Sequence, residues 1–249
     1  MSNLKPINNP VTGFNYLLRG LGMLNHSGLR RFVLVPLLIN IVVFSLVGWG
    51  GYELFSGLMD EYVPSEGWLS YFRWLLWPLF AIAGLLTTFY TFTVIANLIA
   101  APFNGLLAEK VETLLTGKTP TSPGGGIMKD LIPSITSEIH KLLYFLLRAI
   151  PLLILFVIPV INIAAPFLWI AFSAWFLFIE YADFPLGNRG LKFKQELQLL
   201  KRVRFTGLGF GGGATLMLAI PVINFVAMPA AVVGATIMWC EQRDALTQN

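Results

Sequence analysis

Charge is what this chain has least of. Asp, Glu, Lys and Arg together make up 12 % of its 249 residues, about half the share a soluble domain carries. That leaves too little polar surface to coat a soluble globule. With 56 % hydrophobic residues and a mean hydropathy of +0.71, the composition is that of an integral membrane protein. A single cysteine, Cys240, excludes an intramolecular disulfide. Two isolated histidines, His26 and His140, offer no metal-ligand set, and Cys240 has no evident base partner. An enzyme is not expected, and neither a metal nor a cofactor is implied. The net charge of +4 follows from Lys and Arg flanking apolar runs and is no argument for nucleic acid. No signal peptide is expected, because about thirty mixed residues precede the first apolar run.

What is there is four long apolar stretches, which favour helices over the alternating pattern of a β-barrel. An amphipathic segment, 1–31, comes first. Phe14, Leu17, Leu18, Leu21 and Leu24 recur in it at helical spacing, as in a helix lying at the interface or packed on the body of the protein. Residues 32–52 then run uncharged for long enough to span a bilayer. An acidic link holds Glu53, Asp60, Glu61 and Glu66, and Trp68, Tyr71, Trp74 and Trp77 follow as an aromatic belt. The second span, 74–101, keeps its helical pattern beyond Pro102 through Leu106, Leu107, Val111 and Leu114. One long helix stopping near Gly117 is expected, then a loop through 126 within a cytoplasmic segment 102–141.

The stretches 142–179 and 206–240 are each long enough for two segments, yet have no polar connection. Each instead carries Ile-Pro-Val-Ile-Asn at its middle, as Ile158-Pro159-Val160-Ile161-Asn162 and Ile220-Pro221-Val222-Ile223-Asn224. Proline breaks a helix, so each stretch reads as a hairpin with an apolar tip. Two arms of about 17 residues could barely cross. A hairpin that enters from one side and turns at membrane depth is the favoured reading. Between them, Leu191, Leu197, Leu200 and Val203 against lysines suggest a further amphipathic helix over 186–204. The expected fold is an all-α integral membrane protein, with two transmembrane helices, two partly penetrating hairpins and amphipathic interfacial helices. Residues 1–31 hold four basic residues and no acid, while 53–73 are acidic. The positive-inside rule therefore puts both termini and both hairpin bases in the cytoplasm.

Two glycine motifs mislead. Gly117-Lys118-Thr119 lacks the first glycine of a P-loop, since Glu112 stands there. Gly207-Leu208-Gly209-Phe210-Gly211-Gly212 spells a dinucleotide fingerprint without a βαβ unit. It reads better as two overlapping small-residue pairs, Gly207/Gly211 and Gly209/Gly213, for close helix packing.

Two features point to anion handling. Ser27-Gly28-Leu29-Arg30-Arg31 opens the first apolar run. Ser27 is a good N-cap, a helix start offers unpaired N–H groups, and two guanidiniums match a tetrahedral oxyanion. Arg-Arg before an apolar run is also ordinary positive-inside punctuation, and on these five residues alone that plainer reading stands ahead. The second feature is asparagine inside apolar runs: Asn40, Asn97, Asn104, Asn162 and Asn224. Each alone suits a helix-to-helix hydrogen bond; together with Glu109 they are candidates to line a polar path. Glu109, Lys110, Glu112 and Arg148 fit either an inner mouth or a solvated face.

Three strings together resemble the CysZ family of bacterial sulfate permeases: Ser27-Gly28-Leu29-Arg30-Arg31, Asn97-Leu98-Ile99-Ala100-Ala101-Pro102-Phe103-Asn104-Gly105-Leu106-Leu107-Ala108-Glu109-Lys110, and Tyr181-Ala182-Asp183-Phe184-Pro185. The resemblance runs from about Gly13 to about Glu241, with Phe184 standing where the family often has a second tyrosine. It implies sulfate uptake across the bacterial inner membrane, by a channel or a secondary permease, feeding cysteine synthesis. It also implies a homo-oligomer and sulfate binding at Gly28, Leu29, Arg30 and Arg31, which reverses the order of the two readings there. The alternative from another class is a non-transporting scaffold or bilayer-shaping protein.

Overall fold

The computed structural model describes residues 5–63, 66–67, 70–120 and 127–247; within these the side chains of 70, 85, 88–102, 127–135, 221 and 222 are left out. The expected belt residue Trp68, the end of the 117–126 loop and the side chain of Asn97 therefore fall outside the description. Among the described residues every regular element is helical: α1 (Pro10–Met23), α2 (Arg30–Tyr62), α3 (Ser70–Thr116), α4 (Ile127–Leu155), α5 (Ala165–Gly187), α6 (Phe193–Leu200), α7 (Arg204–Ala219) and α8 (Pro221–Thr247). The chain forms two compact units, Val33–Phe103 and the remainder.

In the Val33–Phe103 unit α2 turns its apolar side chains outward. Leu38, Val42, Leu46 and Trp49 are all exposed, as suits a surface solvated by lipid rather than water. Its inward contacts are aromatic: Phe55 stacks on Phe80 at 3.9 Å, and Trp77 meets Phe55 edge-on at 4.8 Å. α2 continues through Glu53, Asp60 and Glu61, so these acids of the expected link are helical, and Asp60 pairs with Arg73.

The other unit is built on absent side chains. A Cβ on Gly211 would lie 1.7 Å from the Ala174 carbonyl of α5, and one on Gly209 would lie 1.9 Å from the Pro10 carbonyl of α1. α7 thus presses on α5 along Gly207/Gly211 and on α1 along Gly209/Gly213, the two pairs expected from the sequence. The contact is backbone to backbone at Gly211 and Gly209, while Gly207 receives Phe178 and Gly213 receives Phe14 and Leu17. α1 repeats the device, since a Cβ on Gly20 would meet the Ala230 carbonyl at 2.2 Å. Phe178 and Phe210 fill the space between, 5.6 Å apart edge to face. Asn9 caps α1 by accepting the Val11 N–H at 2.8 Å, and Asn8 Oδ1 accepts the Phe205 N–H at 2.6 Å at the start of α7.

α1 differs from its apolar pattern in which face it buries. Gly13, Tyr16, Leu17 and Gly20 go inside, while Phe14 and Leu18 remain exposed. Glycine is silent in a hydrophobicity pattern, yet it is what admits α7 and α8. The amphipathic segment near 186–204 is a shorter helix, α6, followed by a 3-10 turn at Lys201–Val203. α3 ends at Thr116, one residue before Gly117, whose φ of +70° suits a left-handed helix stop.

Both apolar stretches are helical hairpins, and their repeated string turns in two different ways. In the first, α4 ends at Leu155 and Val160 takes φ 71°, rare for a β-branched residue. A 3-10 turn, Ile161–Ile163, then precedes α5. In the second, Ile220 is extended and Pro221 is the first residue of α8, the helical position that tolerates proline best. By length and apolarity, α2, α5 and the Ile223–Thr247 part of α8 could each cross a membrane.

Candidate functional site

The segment expected to open a helix at Gly28 is a tight turn, and α2 begins at Arg30. The shift has a local cause. The His26 carbonyl accepts from the N–H of Leu29 at 2.9 Å and of Arg30 at 3.3 Å, and His26 Nδ1 accepts the Gly28 N–H at 3.2 Å. His26, not Ser27, therefore satisfies the donors that precede the helix. An anion taking the Gly28 N–H displaces the imidazole. Leu29 is 0 % exposed and pins the turn to the core.

The two arginines are employed differently. Arg30 folds back on the turn, with Nε donating to the Asn25 carbonyl at 3.0 Å and Nη2 to Asn25 Oδ1 at 2.7 Å. Arg31 lies 4.9 Å over the Phe32 ring. It lines an open groove of about 460 Å³ with Leu106, Glu109, Lys110, Thr113 and Thr119. Two cations and one carboxylate line that groove, which leaves a net positive charge facing it. Asn25 escaped the sequence reading, and His26 was weighed there only as a metal ligand. The signal available was the small polar run Asn25-His26-Ser27-Gly28 between two apolar segments, a composition typical of side-chain-stabilised turns.

The asparagines do not converge in one visible place. Asn104 is buried and its Nδ2 sits 3.0 Å from Met228 Sδ, while Asn162 and Asn224 are exposed at the two hairpin turns. Asn40, in the other unit, has a buried Oδ1 with no partner among the described residues. Glu109 shares the groove with Arg31. Glu112, by contrast, is buried against Arg189 in an ion pair. Arg189 also lies 5.9 Å over Trp239 and, with Arg202, Arg243, Gln195 and Gln198, lines a second cavity of about 390 Å³.

A charged cluster at the base of the first hairpin also went unread. Buried Lys141 reaches Asp183 at 2.7 Å, Glu138 at 3.0 Å and Glu180 at 3.3 Å. Burial opposes the charge on Lys141, but Asp183 and Glu180 outweigh it, so its pKa lies above the usual lysine value. Glu196 on α6 is 1 % exposed, and its carboxyl faces that of Asp183. Burial first, and then the Asp183 charge, push its carboxyl up to about 10.

Glu196 is therefore protonated at neutral pH. In the unfolded chain it loses its proton near pH 4.3, roughly the ordinary value. Its contribution to stability is complete below that pH and is lost progressively as pH rises toward 10. Glu196→Gln, which imitates the neutral acid, is expected to raise the Tm by several degrees at pH 8 and hardly at all at pH 5. Thermal unfolding in detergent across that range checks this, and parallel curves for the two proteins would show that Glu196 titrates as an ordinary carboxyl.

Fold and composition together define an all-α integral membrane protein with a cationic turn at the start of α2. The chain belongs to the family described as sulfate transporter CysZ/etoposide-induced protein 2.4, whose profile matches residues 16–229. It is 44 % identical over 239 residues to the sulfate transporter CysZ of Pseudomonas fluorescens (strain Pf0-1), covering 94 % of this chain and 95 % of that protein. It is 41 % identical over 235 residues to the sulfate transporter CysZ of Pseudomonas aeruginosa (strain LESB58), covering 93 % and 96 %.

Proposed function

We propose that this protein carries sulfate across the bacterial inner membrane, as a channel or secondary permease, and so supplies sulfur for cysteine synthesis. The observation that carries the reading is the Gly28–Arg31 turn, with its Arg31 guanidinium on an open cationic groove, in a chain of the CysZ family. Sulfate keeps its hydration shell unless several charge-assisted donors replace it. Arg31 and Lys110 supply charge, and the backbone N–H of Gly28 becomes a donor once His26 is displaced. A transporter family fits a protein that performs no catalysis.

In this reading Glu109, beside Arg31, sits at the mouth of the path, both termini are cytoplasmic, and the protein works as a homo-oligomer in the bilayer. The hairpins penetrate partway. What supports this is charge placement: residues 142–155 of α4 and 165–179 of α5 rise about 21 and 23 Å at 1.5 Å per residue, and α5 reaches the roughly 30 Å of a hydrocarbon core only by including Glu180 and Asp183.

The test is uptake of labelled sulfate into vesicles that contain only this protein. Uptake well above empty vesicles is expected. Equal rates with and without an imposed pH gradient identify a channel, and acceleration by an inward proton gradient identifies a coupled permease. No uptake under any gradient would contradict the reading and leave a scaffold or bilayer-shaping role.

A further inference from the structure

The base of the two hairpins carries a third cationic groove, of about 380 Å³, lined by Tyr144, Arg148, Trp175, Lys201, Arg204 and Leu208. Three side chains in it are cationic and none is acidic. Arg148 is the informative one. It interrupts the apolar run of α4, where Leu142, Leu143, Leu146, Leu147 and Ile150 are all exposed, so this helix faces lipid along the length that holds the charge. A charge there persists only if its head reaches a polar partner. The Arg148 guanidinium lies 3.6 Å over the Tyr144 ring, one turn back toward the helix start, and donates to the Tyr144 carbonyl at 3.2 Å. Neither contact neutralises it. Tyr144 is itself held by Trp175, whose indole N–H donates to its hydroxyl at 2.9 Å, so the aromatic floor is fixed.

We infer that this groove binds the phosphate of an anionic phospholipid, with Arg148, Lys201 and Arg204 around the headgroup and the Tyr144–Trp175 pair at the interfacial level. Tyrosine and tryptophan settle where headgroups meet acyl chains, and basic pockets between membrane helices take anionic headgroups. A free oxyanion shares the phosphate chemistry, but the surroundings favour the lipid. Phe205, next to Arg204 in the chain, and Leu147, next to Arg148, are exposed apolar side chains, as is Leu143 on the same helix, so apolar surface for acyl chains accompanies the cationic residues.

Trp175 is a built-in reporter. The full-length protein is reconstituted in phosphatidylcholine vesicles that contain an equal small fraction of brominated phosphatidylglycerol or brominated phosphatidylcholine. The Trp175 signal is the wild-type fluorescence minus that of Trp175→Phe. Quenching of that signal is expected to be at least threefold stronger with the anionic lipid. Arg148→Gln with Lys201→Gln and Arg204→Gln should abolish the difference, and millimolar sulfate or glycerol phosphate should leave it unchanged. Arg148→Gln alone should reduce the preference partly, which keeps the test alive if the triple variant does not fold. Equal quenching by the two lipids overturns the inference, and so does displacement of the anionic lipid by the soluble anions, which would make this a small-oxyanion site.

Discussion

Arg31→Ala is expected to weaken sulfate binding tenfold or more, and Arg31→Lys to recover only part of the loss. Hydrogen bonds to charged groups are worth roughly 1.5–3 kcal/mol each, and about 1.4 kcal/mol already amounts to a factor of ten. Arg31 is the arginine whose guanidinium lines the groove, so its removal takes away donors and charge without touching the turn. Lysine keeps the charge but loses the planar fork, and with it the stacking on Phe32. Arg30→Ala should act by a second route. It releases the clasp on Asn25 and loosens the turn that positions the Gly28 N–H. Calorimetric titration of sulfate into the purified proteins separates these effects from topology. If the arginines served only as membrane-orienting charges, lysine would substitute fully, and correctly inserted alanine variants would bind as tightly as wild type.

Two adjacent glycines should respond to alanine in opposite directions. A methyl group at Gly211 would stand 1.7 Å from the Ala174 carbonyl, a backbone atom that cannot step aside without moving α5. Overpacking of this kind costs typically 1–3 kcal/mol, and more when no flexible side chain absorbs it. Gly211→Ala is thus expected to destabilise by about 3 kcal/mol or more, roughly 6–12 °C in Tm for a protein of this size. Gly212 has nothing within 4 Å of its missing Cβ. Gly212→Ala should be neutral or stabilising by up to about 1 kcal/mol, the helix-propensity difference. Thermal unfolding in detergent compares them directly; equal shifts would mean that α5 and α7 do not pack backbone to backbone.

The glycine pairs of α7 were legible because small residues at a spacing of four state a packing need in the letters themselves. The twin hairpins were legible for a similar reason: the Ile-Pro-Val-Ile-Asn string recurs at the middle of two apolar stretches each long enough for two helices, and its proline favours a break there. What the string left open was the kind of turn: the same five letters put Val160 at positive φ in one copy and Pro221 at the first position of α8 in the other. The buried face of α1 was legible only in part: Leu17 and Leu24 are buried as the pattern expects, but hydrophobic periodicity also counts Phe14 and Leu18, which stay exposed, and overlooks Gly13 and Gly20. At the candidate site the residue types were readable but their partners were not. Nothing in the string Asn25-His26-Ser27-Gly28 says that the imidazole takes the Gly28 N–H, or that Asn25 takes Arg30 and leaves Arg31 to the groove. The Lys141–Glu196 cluster joins three segments distant in the chain, and such groupings carry no local signature.

The site claim is tested most directly by locating the anion itself. Selenate keeps the shape and charge of sulfate and scatters anomalously at the selenium edge. In crystals of the protein equilibrated with selenate, the account predicts a strong anomalous peak at the Gly28–Arg31 turn, within hydrogen-bonding distance of the Arg31 guanidinium and the Gly28 N–H, with the His26 imidazole displaced from that N–H. A turn left empty while the peak appears in the Arg189–Arg202–Arg243 cavity would contradict it.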